Sequence, residues 1–205
     1  MKGSLFVVSA PSGAGKTSLV QALIGSIDNI GVSVSHTTRA QRPGEQHGVN
    51  YHFTTREAFG LMIEHGDFLE QAEVFGNLYG TSKVWVENTL QAGRDVILEI
   101  DWQGARQVRR LMPDSVGIFI LPPSRQALRE RLVGRSTDAA DVIERRLAQA
   151  TEDMSHFVEF DYVIINAVFD QALAEIQAVV RAQRSRVSRL AGAKLSLIER
   201  LLNGH

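Results

Sequence analysis

The sequence predicts an α/β protein with a doubly wound parallel sheet at its core and two inserts interrupting that core. Three observations carry this prediction. Short β-branched apolar runs alternate with helix-periodic stretches, a glycine-rich turn joins the first run to the first helix, and two more polar intervals break the rhythm. The expected partition assigns residues 1–32, 85–125 and 148–205 to the core, with inserts at 33–84 and 126–147. A chain of 205 residues can bury a sizeable core as one compact unit carrying such appendages.

The elements follow in order. Ser4–Ala10 is an apolar run that ends at Pro11 and Gly13, and it reads as a buried strand. Lys16–Ile24 places Leu19, Val20, Leu23 and Ile24 at helical spacing. Val32–His36 reads as a second strand. The polar stretch Thr37–Gly48, with Pro43 and Gly44, reads as an exposed loop. Thr54 and Glu57 have capping-box spacing ahead of a helix carrying Phe59, Met62 and Ile63. Phe68–Phe75 alternates loosely, and Gly76–Gly80 reads as a turn. Asp95–Asp101 and Ser115–Leu121 return to buried-strand character, and Ser124 caps a helix to Val133. Phe160–Ile165 is a last strand, ahead of amphipathic helices at Asp170–Arg186 and Leu190–Leu202.

Composition narrows the function classes. The formal charge is −1, so the chain lacks the global basic field that would hold nucleic acid or an anionic membrane. An anionic ligand must instead be gripped by locally clustered arginines. No cysteine is present, which excludes disulfides and cysteine-ligated metals, and the six histidines lack metal-ligand spacing. No signal-peptide pattern opens the chain, and no apolar run approaches the about 20 residues that span a bilayer. A soluble, cytoplasmic protein is expected.

Ala10-Pro11-Ser12-Gly13-Ala14-Gly15-Lys16-Thr17 lies between the first strand and the first helix. This is the context of a phosphate-binding P-loop. Gly13 and Gly15 let the backbone curl until its N–H groups converge on a phosphate, and the helix start adds its positive dipole end. Lys16 can reach between the β- and γ-phosphates, and the Thr17 hydroxyl suits Mg²⁺. Ala10 replaces the first glycine of the generic pattern, which fits a loop entered from an extended strand. The apolar strand Val96–Asp101 ends in acidic residues, as expected of the strand that supports Mg²⁺-bound water. Such a loop implies ATP or GTP; it does not name the acceptor.

The stretch Thr37-Thr38-Arg39-Ala40-Gln41-Arg42-Pro43-Gly44-Glu45, continuing through Tyr51-His52-Phe53, resembles the signature of the guanylate kinase family. The resemblance extends over about residues 4–186 and includes Ser33–His36, Gly76–Thr81, Asp101–Gly104 and Arg131–Arg135. It implies a nucleoside-monophosphate-kinase fold, with one insert binding GMP and the other acting as a lid. It implies ATP with Mg²⁺, and phosphorylation of GMP, with dGMP beside it, in purine nucleotide metabolism. By the same resemblance Ser35, Arg39, Arg42, Tyr51 and Tyr79 hold the GMP phosphate, and Glu70, Thr81 and Asp101 read the base. Arg131 and Arg135 are the lid arginines, Arg146 follows on the next helix, and all three meet the ATP phosphates and the transferring group. Two positions depart from the family pattern: Glu99 stands where Asp is common, with a possible part around Mg²⁺, and Asn166-Ala167 replaces Asn-Asp.

Two rivals stay open in the sequence. Non-catalytic scaffolds that bind phosphorylated peptides share this fold, but they generally have a degraded phosphate loop, whereas Gly13, Gly15, Lys16 and Thr17 are intact here. A P-loop kinase for another nucleotide is the second. Arg125, Arg129, Arg181, Arg184, Arg186 and Arg189 read as solvated helix faces, and Trp85 and Trp102 as packing residues.

Overall fold

The computed structural model describes residues 2–74, 76–134, 140–189 and 192–204. The elements are β1 (Leu5–Ser9), α1 (Lys16–Ser26), β2 (Ile30–Val32), β3 (His36–Thr37), β4 (His52–Phe53), α2 (Arg56–Glu64), β5 (Phe68–Val74) and β6 (Asn77–Ser82). Then come α3 (Lys83–Gln91), β7 (Asp95–Glu99), α4 (Trp102–Leu111), β8 (Val116–Leu121), α5 (Arg125–Val133) and α6 (Ala140–Ser155). The chain closes with β9 (Tyr162–Ile165), α7 (Phe169–Arg184) and α8 (Gly192–Leu202).

Five strands form a wholly parallel sheet in the order β2-β7-β1-β8-β9. Its central strand β1 is buried throughout, and its first four residues, Leu5–Val8, are apolar because both faces are covered. Phe6 and Val8 point to one face, where they join Leu19, Leu23, Ile176 and Val180 of α1 and α7. Leu5 and Val7 point to the other, against Val86, Leu90 and Val108 of α3 and α4. The period of two along a strand thus feeds two cores, which is what doubly wound means physically. A third cluster, Leu128, Leu132, Ile143 and Leu147, joins α5 to α6.

The second sheet, ordered β4-β3-β6-β5, is mixed: β3 and β4 run parallel, and β6 is antiparallel to both β3 and β5. It differs from the sequence reading in two places. The run Val32–His36 is not one strand: Ile30–Val32 completes the large sheet and His36–Thr37 opens the small one. Ser33–Ser35 carries the chain between them, so the apolar pattern marks a crossing point. Asn77–Ser82 is a strand rather than a turn, and among the described residues of that stretch only Gly76, at φ +74°, belongs to the reversal. Pairing along β5 makes a Gly- and Tyr-containing segment extended, an effect that reaches across sequence and is invisible locally. The cap of α2 is Thr55, whose side chain accepts from Ala58 N, one residue later than the Thr54 capping box.

Candidate active site

The phosphate loop forms where β1 stops. Gly13 and Gly15 take φ +87° and +93°, conformations that side chains rarely adopt. A Cβ on Gly15 would lie 2.4 Å from Asn166 Nδ2, so only glycine fits there. Lys16 opens α1 and directs Nζ to the Ile100 carbonyl at 3.2 Å. Burial pushes its ammonium below the usual lysine value, and the nearby carboxylates of Glu99, Asp101, Asp153 and Glu70 oppose that push. The Thr17 hydroxyl donates to Glu99 Oε2 at 3.0 Å, bringing the loop to the end of β7.

Around the second sheet the sequence-predicted arginines and tyrosines meet. Arg39 NH2 lies 2.7 Å from Glu45 Oε1, and its guanidinium stands over the Tyr51 ring at 5.3 Å. The Glu45 hydrogen bond raises the Arg39 pKa further and lowers that of Glu45. Glu45 Oε2 also accepts from Arg42 N at 2.8 Å, so one carboxylate holds both arginine positions. Tyr51 and Tyr79 pack with ring centroids 5.9 Å apart. Burial raises the Tyr51 pKa, which keeps its hydroxyl a donor near neutral pH. Ser35 sits at the crossing between the sheets, with its carbonyl accepting from His52 N at 2.9 Å.

Glu70 and Thr81 face each other across β5 and β6 and are both buried. The Thr81 hydroxyl donates to Glu70 Oε1 at 2.6 Å. Burial drives the Glu70 carboxyl up to about 7, partly opposed by the Thr81 bond and reinforced by the charge of Asp101. Asp101 caps α4 by accepting from Gly104 N at 2.8 Å. Lys16 Nζ thus reaches the residue before Asp101, and a Cβ on Gly104 would lie 3.0 Å from Glu70 Oε2, so the loop lysine and the buried carboxyl both border the start of α4.

The family model for guanylate kinase matches residues 2–183 of this chain. The chain belongs to the guanylate kinase family. It is 59% identical over 201 residues to a guanylate kinase of Saccharophagus degradans, covering 98% of both chains. It is 57% identical over 201 residues to one from Alcanivorax borkumensis, covering 98% of this chain and 97% of the other. A crystal structure of guanylate kinase from Anaplasma phagocytophilum superposes with a TM-score of 0.75 at 35% identity, over 98% of this chain and 96% of that one.

In this guanylate kinase family member Arg131 leaves α5 toward the phosphate loop. Its guanidinium reaches Asn166 O at 3.0 Å and Ala14 O at 3.4 Å. Arg146 lies on the exposed side of α6. Arg135 falls outside the described residues. Other arginines correct the reading of solvated faces. Arg184 binds Asp95 Oδ2 at 2.7 Å and Asp28 O at 2.7 Å, and Arg189 binds the carbonyls of Lys2 and Gly3. Arg129, paired with Glu144, stays on an exposed face as that reading expects. Trp102 does pack, stacking on His156, whereas Trp85 packs only in part, at 41% exposure. Sequence reasoning also missed Glu45 as an organiser. The available signal was an acid three residues after Arg42, close enough in a tight loop to reach back to both arginines.

Among the described residues, no helix is long and apolar enough to cross a membrane.

Proposed function

We propose that this chain catalyses ATP-dependent phosphorylation of GMP, giving ADP and GDP, with transfer occurring in one cleft between the phosphate loop and the small sheet. The observation that carries this reading is the closeness of Lys16 and Glu70. Lys16 Nζ, from the start of α1, donates to Ile100 O at 3.2 Å, and a Cβ on Gly104 would lie 3.0 Å from Glu70 Oε2. Both side chains thus border the start of α4, where the charge of each acts on the other. Phosphate and base recognition then belong to one site. We infer the same division as the sequence does: residues 1–32, 85–125 and 148–205 as core, 33–84 as GMP-binding subdomain and 126–147 as lid.

In this mechanism Ala10–Thr17 wrap the ATP phosphates, with Lys16 bridging donor and transferring groups. Ser35, Arg39, Arg42, Tyr51 and Tyr79 hold the GMP phosphate, where planar guanidinium forks match its oxygens. Glu70, Thr81 and Asp101 take the guanine edge. The acceptor is an ionised phosphate oxygen near neutral pH, so no general base is needed. The residues position two polyanions and offset their repulsion, with Arg131, Arg135 and Arg146 completing the positive surround. Thr17 and Glu99 present a hydroxyl and a carboxylate side by side, an all-oxygen pair that suits Mg²⁺ or its water shell. When bound, Mg²⁺ would neutralise charge on the β- and γ-phosphates. Lid closure excludes water and suppresses futile hydrolysis. The substrates are small nucleotides, dGMP being a second acceptor, and the place of action is the cytoplasm.

The deciding experiment is a coupled ADP-release assay with GMP, dGMP, AMP, UMP and dTMP. GMP is expected to dominate. Faster turnover of another monophosphate would overturn the base assignment, and absence of turnover with all of them would favour a binding module.

A further inference from the structure

We propose that Asn166 is a positioning residue for phosphoryl transfer. Its side-chain amide fixes the Ala14–Gly15 peptide so that the Gly15 N–H faces the bound phosphates. The proposal rests on the reading of this loop as the ATP phosphate site.

Asn166 follows β9 and is buried, at 5% exposure. Its Nδ2 donates to Ala14 O at 2.8 Å. The residue that makes this bond is itself held twice. Its backbone N donates to Leu121 O at 2.8 Å, at the end of β8, and its carbonyl accepts from Arg131 at 3.0 Å. The same guanidinium extends a longer contact, 3.4 Å, to Ala14 O. A side-chain amide anchored to the sheet thus grips one carbonyl of the loop, and a cation closes the triangle.

Planar trans geometry turns that grip into an orientation for the next N–H. The C=O and N–H of one trans peptide point in opposite directions, and all described peptides here are trans. Fixing Ala14 O toward Asn166 therefore aims the Gly15 N–H to the opposite side. The loop needs such a constraint. Gly13 and Gly15 flank Ala14 at positive φ, and glycine passes readily between conformations, so the Ala14–Gly15 peptide has little intrinsic resistance to flipping. A flipped peptide would offer phosphate an acceptor in place of a donor. The contact is close enough that a Cβ on Gly15 would lie 2.4 Å from Nδ2, so the glycine also makes room for its own clamp. Because Arg131 binds both Asn166 and Ala14, the end of α5 and the loop peptide form one hydrogen-bonded unit. The Asn166-Ala167 pair, which the acceptor site does not use, finds its place here.

The test uses Asn166→Ala and Asn166→Asp, with inorganic tripolyphosphate and ADP as probes of the phosphate loop and GMP as a control. Tripolyphosphate carries no base, so it reports the loop alone. Both variants are expected to bind tripolyphosphate and ADP at least ~10-fold more weakly, the scale of one hydrogen bond to a charged group, and GMP within about 2-fold of wild type. The Asp variant keeps the shape of Asn but sets a carboxylate oxygen against Ala14 O. It is the control for a variant that fails to fold. A loss confined to ADP, with tripolyphosphate binding unchanged, would assign Asn166 to the base and overturn the clamp. A parallel loss of GMP binding and of the unfolding midpoint would reduce it to a structural residue and also overturn it. Wild type is assayed first: failure to phosphorylate GMP strikes the proposed function, whereas normal tripolyphosphate binding in a folded Asp variant strikes the clamp alone.

Discussion

Thr81 donates a 2.6 Å hydrogen bond to Glu70, and both side chains are buried between β5 and its partner strand β6. One hydroxyl does not offset the desolvation of a carboxylate, which is why the Glu70 carboxyl rises to about 7. On the proposed function guanine would supply what is missing: its N1–H and 2-amino group are two donors on one edge. Adenine lacks both and would strand the charge. Sites that hydrogen-bond a substrate reject analogues lacking the partner by about 10⁴–10⁵. Glu70→Ala is therefore expected to lose far more activity on GMP than on AMP. An unchanged GMP-to-AMP ratio of kcat/KM would remove the base-reading role.

The same carboxyl gives a pH signature. The unfolded chain releases the Glu70 proton near its ordinary value of 4.5, while the folded protein retains it until about 7. Between those values the folded state binds more protons, so stability falls as pH rises through this window. The contribution is fully present below about 4.5 and lost above about 7, on the order of 3 kcal/mol at full burial. GMP binding has the opposite sign, because donors on the base favour the ionised form. GMP affinity is expected to increase through pH 7 more steeply in wild type than in Glu70→Gln. The Gln variant subtracts the ionisation of the GMP phosphate, and parallel profiles for the two proteins would refute the assignment.

Lys16 couples catalysis to stability in an unusual direction. Its ammonium is pushed below the ordinary lysine pKa by burial, so in the ligand-free protein the charge is held at some expense of stability. Lys16→Met is expected to cut kcat by at least ~10²-fold, the scale for losing one charge-stabilising donor, while leaving the unfolding midpoint unchanged or raised. Near-normal turnover in this variant would remove the phosphate-loop argument.

β1, α1 and β8 were legible in the sequence because both covered faces of a parallel strand demand unbroken apolar residues, and the loop between β1 and α1 demands glycine. Glu70 was picked out by the family resemblance, and the apolar Phe68 and Leu69 beside it accord with its burial. What stayed hidden depends on pairing across long separations. Asn77–Ser82 is extended only because β5 lies beside it. Arg184 looks solvated on its helix until Asp95, 89 positions away, is seen to be its partner. Asn166 shows no local sign of gripping Ala14, 152 positions earlier.

Glu45 is expected to act through the arginines it orders. It bonds Arg39 by one oxygen and the Arg42 backbone by the other. Glu45→Gln keeps the shape but removes the charge, and should raise the KM for GMP roughly 3–10-fold, the scale of weakening one charge-assisted bond. The KM for ATP should stay within about 2-fold, since the bonds of the Glu45 carboxylate go to Arg39 and Arg42 and not to the phosphate loop. Equal changes for both substrates would mean that Glu45 supports the whole fold and does not organise the acceptor group.

Asp95 is buried at the start of β7, and its two oxygens are used differently. Oδ1 accepts from Ser4 N at 2.6 Å, and Oδ2 accepts from Arg184 Nε at 2.7 Å. Arg184 also donates to Asp28 O, ahead of β2. One ion pair therefore ties the starts of three neighbouring strands to α7. Removing one partner of a buried pair leaves the other charge uncompensated, at about 3–5 kcal/mol when burial is complete. Arg184 is 32% exposed, so water can partly replace it, and roughly 2 kcal/mol is the expected loss for Arg184→Ala. In a chain of this size that lowers the unfolding midpoint by roughly 4–8 °C. The substitution lies far from the cleft, at the opposite ends of the strands that carry the loop, so kcat and both KM values should remain as in wild type below the transition. A thermal scan and a steady-state assay on one preparation decide the matter. An unshifted midpoint would return Arg184 to the solvated helix face that the sequence suggests.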